Sequence, residues 1–227
     1  MEKIPQCVGF IMDGNRRWAK AQGLPTLEGH ARGYGLLKEL IEVVYRAHIP
    51  HMVCYAFSTE NWNRTEEEVG YLMNLLHTAL RELPQILREK GKRINVRIIG
   101  ERMRLSPEMQ QAIGAAEAQN TENPELTVWI ALSYGGRAEI VHAVNHAVQN
   151  GAPITEESFA KLLWTNGMPD PDLIIRTSGE HRISNFLLWQ SAYSELFFVD
   201  TLWPDFGETE FQSILEQYAT RQRRRGA

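Results

Sequence analysis

The chain holds only two cysteines in 227 residues, Cys7 and Cys54, and each lies inside an apolar run. They lack metal-ligand spacing and cannot build a disulfide scaffold, so reduced core residues of a cytoplasmic protein are expected. No apolar run nears the ~20 residues that span a bilayer. Met1-Glu2-Lys3-Ile4-Pro5-Gln6 has no apolar core of the signal-peptide kind. An excess of basic charge is also missing. The net charge of −4 argues against a general nucleic-acid binder. Repeats and low-complexity stretches are absent, and Asn150–Pro153 and Asn166–Pro169 read as loops. The length then suits a single domain over 1–227 with a substantial core.

Against these absences stands an alternation of apolar strands and amphipathic helices. Strands are expected near Cys7–Met12, His51–Phe57, Ile94–Ile99, Leu126–Leu132, Leu173–Arg176 and Leu196–Val199. Helices are expected near Gly29–Ala47, Glu66–Glu89, Pro107–Asn120, Ala138–Gln149, Glu156–Trp164 and Glu208–Arg221. The alternation predicts an α/β fold, a mainly parallel six-stranded sheet flanked by helices. Ligands of such sheets bind outside the carboxyl ends of the strands. Three polar clusters follow strand ends and should converge there: Asp13–Trp18, Ser58–Arg64 and Thr177–Asn185.

The first cluster runs Met12-Asp13-Gly14-Asn15-Arg16-Arg17-Trp18 and opens a helix. Helix amides and the helix dipole favour an anion there, and Gly14 allows close backbone approach. Asp13 would repel a phosphate unless a cation sat between them, which suggests a Mg²⁺-bridged diphosphate. The plain alternative is a solvated turn with a helix cap. The second cluster, Ser58-Thr59-Glu60-Asn61-Trp62-Asn63-Arg64, precedes a capping-box pattern at Thr65 and Glu68. Capping explains Thr65 and Glu68 but not Asn61, Trp62 or Arg64. In the third cluster Arg176 and Arg182 flank a Ser/Gly turn, with Ser184 beyond. Two guanidinium groups and hydroxyls suit a second diphosphate, and a solvated surface loop is the other reading.

Several stretches together resemble the cis-prenyltransferases, with bacterial undecaprenyl diphosphate synthases the nearest type. They are Met12–Ala19, Gly29-His30, Phe57–Arg64, Ser133–Arg137, Arg176–Gln190 and Glu195-Leu196, collinear from about residue 5 onward. The resemblance implies repeated transfer of an allylic prenyl group onto isopentenyl diphosphate with cis double bonds. It implies Mg²⁺, a homodimer and transient membrane contact for product release. Asp13 would handle metal and diphosphates, with Glu195 as a second acidic residue at the metal. Gly14, Asn15, Arg16 and Arg17 would cradle the allylic diphosphate, with Trp18 and His30 beside it. Ser58, Thr59, Glu60, Asn61, Trp62 and Arg64 match the family's catalytic loop, and Asn61 stands at the proton-handling position. Arg176, Arg182, Ile183 and Ser184 match the isopentenyl diphosphate site. Thr26 stands where the family has an arginine, and Arg32 is the nearest replacement. Arg224-Arg225-Gly226 matches a terminal motif that reaches a diphosphate across the dimer, and a solvated tail fits it equally.

A growing prenyl chain needs an apolar product tunnel. Strand alternation puts Ala56 on the side of Ser58, beside the site. Leu72, Met73, Leu75, Leu76, Leu80, Leu83, Val128, Ile130 and Leu132 are wall candidates, and ordinary core packing is their alternative. Two competing functions remain. A phosphohydrolase of the aspartyl-phosphate kind would carry a second aspartate at position 15, where Asn15 stands. A non-catalytic partner subunit would be expected to have lost the Asp13 cluster.

Overall fold

The computed structural model describes residues 4–89, 91–151 and 153–221. Six strands form one sheet: β1 (Cys7–Ile11), β2 (His51–Ser58), β3 (Ile94–Ile99), β4 (Leu126–Tyr134), β5 (Leu173–Arg176) and β6 (Glu195–Phe198). Their order is β3-β4-β2-β1-β5-β6, and every pairing is parallel. The helices are α1 (Asn15–Ala21), α2 (Thr26–Arg46), α3 (Glu66–Glu89), α4 (Pro107–Glu117), α5 (Gly136–Asn150), α6 (Glu156–Ala160) and α7 (Glu208–Thr220). The sheet and the helix series agree with the expectation from alternation. The boundaries moved at β4, which runs on to Tyr134, and at α6, which stops at Ala160 and continues as turns.

Strand alternation divides the core. Val8, Phe10, Met52, Cys54, Val96, Ile98, Val128, Ile130 and Ile175 face the apolar side chains of α2, α3, α4 and α7. Cys7, Ile11, Val53, Ile99, Trp129, Ala131 and Ile174 face the other way, toward Met168, Phe186 and Leu187. Strands buried on both faces read as near-continuous apolar runs, as those of a helix-covered parallel sheet must. Both cysteines are free and buried, and burial pushes their thiols far above the usual range. Among the described residues no helix is long and apolar enough to cross a membrane.

The topology selects the position of the site. After β1 the chain moves to β2 on one side, and after β5 it moves to β6 on the other. The loops leaving β1 and β5 therefore diverge and open a crevice at their carboxyl ends. Register sets Ile11 opposite Arg176 at that edge.

Two glycines test the close packing beneath the crevice. A Cβ on Gly29 of α2 would lie 2.1 Å from the Asn15 backbone oxygen of α1, whereas one on Gly70 of α3 would meet open space. Gly29→Ala should therefore destabilise by roughly 1–3 kcal/mol through overpacking. Gly70→Ala should stabilise by roughly 0.5–1 kcal/mol, because glycine in a helix interior is costly. Parallel urea melts of the two variants check both signs.

Candidate active site

The three clusters meet at the crevice. Thr177 staples the start of the first one: its Oγ1 accepts from the Asp13 N–H at 3.0 Å and donates to the Asp13 carbonyl at 2.6 Å. Gly14 follows with φ of 113°, in the left-handed region that favours glycine. A Cβ there would also meet Leu202 at 3.0 Å. The chain turns sharply, and α1 begins at Asn15.

Arg176 lies at the end of β5, and its side chain is only 5% exposed. Its Nη2 donates to Asp13 Oδ2 at 2.8 Å, and Nη1 donates to Ser184 Oγ at 2.6 Å and to the Arg182 carbonyl at 2.7 Å. Burial raises the Asp13 pKa, but the hydrogen bond and charge of Arg176, with help from Ser178 and Arg17, hold it below the usual aspartate value. Asp13 is therefore a carboxylate at neutral pH. Arg17 donates to the Ser178 carbonyl at 2.9 Å and also to the Ser178 hydroxyl. The turn carries strained backbone: Ser178, Ser184, Asn185 and Leu187 all have positive φ.

Ser58 caps a short 3₁₀ turn over Thr59–Asn63. The Asn61 N–H donates to Ser58 Oγ at 3.2 Å, and the Ser58 N–H donates to Asn61 Oδ1 at 3.1 Å. With that oxygen engaged, Asn61 presents its amide NH₂ as a donor. Arg64 donates to Glu68 Oε1 at 2.9 Å, and the same oxygen lies 3.2 Å from His30 Nε2. Half of the expected capping box forms, with the Glu68 N–H on Thr65 Oγ1 at 3.3 Å. The Glu68 carboxylate turns instead to Arg64 and His30. Burial pushes His30 below the usual histidine range, against the pull of Glu68.

These residues enclose three adjoining spaces. A polar pocket of about 500 Å³ is lined by Asp13, Ser58, Glu60, Asn61, Arg176 and Ser184 among others. A second, of about 750 Å³, is lined by Gly14, Asn15, Arg16, Arg17, Thr26 and His30 among others. Asp13 and Arg64 border both. An apolar cavity of about 90 Å³ lies behind them, walled by Leu72, Leu75, Leu76, Leu83, Ile130 and Ala56 among others. Met12 touches all three.

The family model described as "Putative undecaprenyl diphosphate synthase" matches residues 11–226. The chain belongs to the cis-prenyltransferase family. It is 47% identical to an isoprenyl transferase of Agrobacterium fabrum over 99% of this chain and 93% of that protein. Its fold matches a crystal structure of lavandulyl diphosphate synthase from Lavandula x intermedia in complex with dimethylallyl diphosphate. That match has a TM-score of 0.93 and 36% identity, over 99% of each chain. A "probable undecaprenyl diphosphate synthase" from Campylobacter jejuni matches with a TM-score of 0.83 and 30% identity, over all of each chain. The protein is thus a transferase of isoprenyl groups, in a family that works on allylic and isopentenyl diphosphates.

Some expected site residues of this cis-prenyltransferase lie elsewhere. Glu195 opens β6 level with Leu173 and Val8, at the opposite sheet edge from Asp13, and pairs with Arg221. That register sets Glu195 at the start of the strands, whereas Asp13 follows the end of β1. Trp18 turns its Nε1 to Asp205 at 2.8 Å, and Trp62 donates to Ser133 at 3.0 Å while packing on Phe57. Both indoles brace the site from outside its pockets. Thr59 Oγ1 donates to Glu60 at 3.2 Å. The Arg182 side chain is exposed and pairs with Glu180, while its carbonyl accepts from Arg176. Ile183 packs beneath, with Phe186 and Tyr134. Arg32 pairs with Glu39 on α2, and Lys20 lines the second pocket beside Thr26 instead. Lys20 was legible as a helix-spaced neighbour, four residues after Arg16. Tyr55 and Asn185, which line the first pocket, carried no such periodic signal. Met73, Leu80, Val128 and Leu132 are core residues, not cavity walls. Arg224-Arg225-Gly226 lies outside the described residues.

Asp13→Ala would leave Nη2 of the buried Arg176 without its carboxylate partner, at a cost of roughly 1–3 kcal/mol, while Asp13→Asn keeps an acceptor oxygen and should cost less. The lowered pKa adds a pH signature. The stabilisation is present above the ordinary aspartate value of 3.8 and is lost as pH falls through the folded value, because the unfolded chain takes up the proton first. Chemical denaturation of wild type and both variants between neutral and acidic pH measures this.

Proposed function

We propose that residues 1–227 form one catalytic domain that condenses isopentenyl diphosphate units onto an allylic diphosphate such as farnesyl diphosphate. The product is a long-chain cis-polyprenyl diphosphate, undecaprenyl diphosphate in the fullest form of the reading, a lipid-carrier precursor for cell-wall synthesis. The carrying observation is the pair of polar pockets joined at Asp13 and Arg64, with an apolar cavity opening at their junction. Two anions and one hydrocarbon tail are the ligands such a set accommodates.

In this reading Gly14, Asn15, Arg16, Arg17 and Lys20 hold the allylic diphosphate, with Thr26 and His30 at its border. Arg176, Ser184 and the Arg182 carbonyl shape the isopentenyl diphosphate pocket, where the Asn61 NH₂ orients the substrate. The arginines stabilise charge building on the leaving diphosphate as the allylic C–O bond breaks. The isopentenyl double bond attacks the allylic carbon, and the adjacent carbon then loses a proton. Asn61 is a donor and a poor base, so a diphosphate oxygen is the acceptor. The donor set also suits Mg²⁺. Among the described residues no three His, Cys, Asp or Glu side chains gather, and Asp13 is a single ionised carboxylate that borders both polar pockets. Mg²⁺ is typically held by one or two carboxylates together with substrate phosphates, and it supplies leaving-group charge neutralisation.

An exposed apolar row on α5, Val141, Val144 and Val148, supports a homodimer. The reading places the enzyme in the cytoplasm, peripheral to the inner membrane face during product release, with no nucleic-acid partner. Incubation with farnesyl diphosphate, labelled isopentenyl diphosphate and Mg²⁺ tests the whole reading, and absence of labelled prenyl product overturns it. In the same assay Arg176→Ala should raise KM for isopentenyl diphosphate by roughly tenfold or more and leave the allylic KM less changed.

The cavity has room for only a few methylene groups, so a lengthening tail must displace its walls on α3. The expected alternation at its mouth is broken by a register shift between Tyr55 and Phe57. Ala56 nonetheless lines the cavity, and Tyr55 joins it there. Ala56→Leu adds volume that a close-packed wall absorbs only with strain of roughly 1–3 kcal/mol. Early condensations should survive and later ones slow, so mass analysis at equal conversion should show shorter products. Full-length product at the normal rate would rule this out.

A further inference from the structure

Asn185 sits where three elements meet. Its backbone carbonyl accepts from the Gly136 N–H at 2.7 Å, and its Oδ1 accepts from the Arg137 N–H at 2.9 Å. These two bonds cap the first turn of α5. Its Nδ2 donates to Glu60 Oε1 at 2.8 Å, across 125 residues of chain. Asn185 has φ of 66°, a conformation that asparagine tolerates better than most residues. A Cβ on the neighbouring Gly135 would lie 2.5 Å from Thr59 Oγ1 and 2.7 Å from Asn185 Nδ2, so the pieces interlock without spare room.

Glu60 itself poses a problem that this contact resolves. It lines the pocket in which the isopentenyl diphosphate reading places an anion. A carboxylate repels a diphosphate, so Glu60 is poorly suited to bind one. Its oxygens are instead turned to Asn185 and Thr59. Glu60 belongs to the same 3₁₀ turn as Asn61, and Ser58 and Asn61 lock that turn internally. The Asn185–Glu60 hydrogen bond joins this unit to α5 and to Ser184, which Arg176 holds.

We propose that Asn185 is a positioning residue: through Glu60 it fixes the Ser58–Asn63 turn over the isopentenyl diphosphate pocket and thereby aims the Asn61 NH₂. The proposal rests on the condensation reading for its kinetic consequences but not for its structural ones. Asn185 touches the substrate only if that pocket is filled as proposed, and its action is through the turn.

Asn185→Asp separates the two jobs. It keeps the acceptor oxygen for the Arg137 N–H and removes the donor to Glu60, setting carboxylate against carboxylate. Glu60→Gln alone keeps an acceptor for Asn185. Combined, the two changes restore a hydrogen bond with donor and acceptor exchanged. Asn185→Asp should lower kcat by roughly ten- to a hundredfold, the scale of one lost charge-assisted hydrogen bond. KM for the allylic diphosphate should stay near that of the parent. The Asn185→Asp/Glu60→Gln pair should recover most of kcat. Hydrogen exchange of the amides over 58–64 should rise in the single variant and return in the pair, which reads the contact without any turnover. Unchanged kcat and unchanged exchange in Asn185→Asp would overturn the proposal. Loss without recovery in the pair would overturn it too, since a general packing defect gives that pattern. A parent enzyme without condensation activity, but with the exchange pattern intact, would overturn the condensation reading alone.

Discussion

Arg176 reaches from the end of β5 to Asp13 beyond the end of β1, and the rest of the site is arranged around that 2.8 Å contact. The two residues lie 163 positions apart in the chain. Parallel pairing of β1 with β5 brings them together, and the divergence of the following loops leaves the crevice open above them. A guanidinium so deeply buried requires an anion and several acceptors, because an unpaired buried charge is strongly destabilising. Asp13, Ser184 and the Arg182 carbonyl supply those acceptors to Nη1 and Nη2, while the buried Nε has no hydrogen-bond partner. The strained turn through Ser184 and Asn185 persists because this network and the α5 cap hold it.

The same pair sets the electrostatic character of the pockets. Asp13 stays ionised among arginines, and it borders both polar spaces. Several cations face the second space with only one acidic side chain among its lining residues, a balance that attracts a polyanion. Behind it the lining changes to leucine, isoleucine and alanine within the reach of one methionine side chain, Met12. A molecule with a charged head and an apolar tail matches this sharp boundary. In the proposed function, growth of the tail would be limited by close-packed walls on α3, where each added methylene has to be accommodated by movement.

Much of the supporting structure consists of residues that never face the pockets. Trp18 and Trp62 use their indole N–H groups on Asp205 and Ser133, fixing α1 and the 3₁₀ turn from behind. Glu68 serves His30 and Arg64 together, tying α2 to the segment before α3. The catalytic geometry therefore depends on a surrounding shell of polar contacts, as preorganised sites do.

The sequence alone determined the alternating strands and helices, the buried apolar runs of a parallel sheet and the three polar clusters at strand ends. Those features are local: period, composition and turn chemistry are written in neighbouring residues. The motifs also identified the family, because long runs such as Arg176–Gln190 are specific. What each side chain does within a cluster was decided by the tertiary structure. Asn185 was legible as part of a motif but not as the bridge between Glu60 and α5, since that bridge depends on a contact over 125 residues. Glu195 was legible as acidic but not as remote, since its distance from Asp13 follows from strand direction and register. Arg32 was the cation the sequence offered in place of the arginine missing at Thr26, but Arg32 pairs with Glu39 while Lys20, which the sequence reading did not single out, lines the pocket. Facing and distance belong to the packed fold, because they are set by which elements are neighbours and not by the residues next in line.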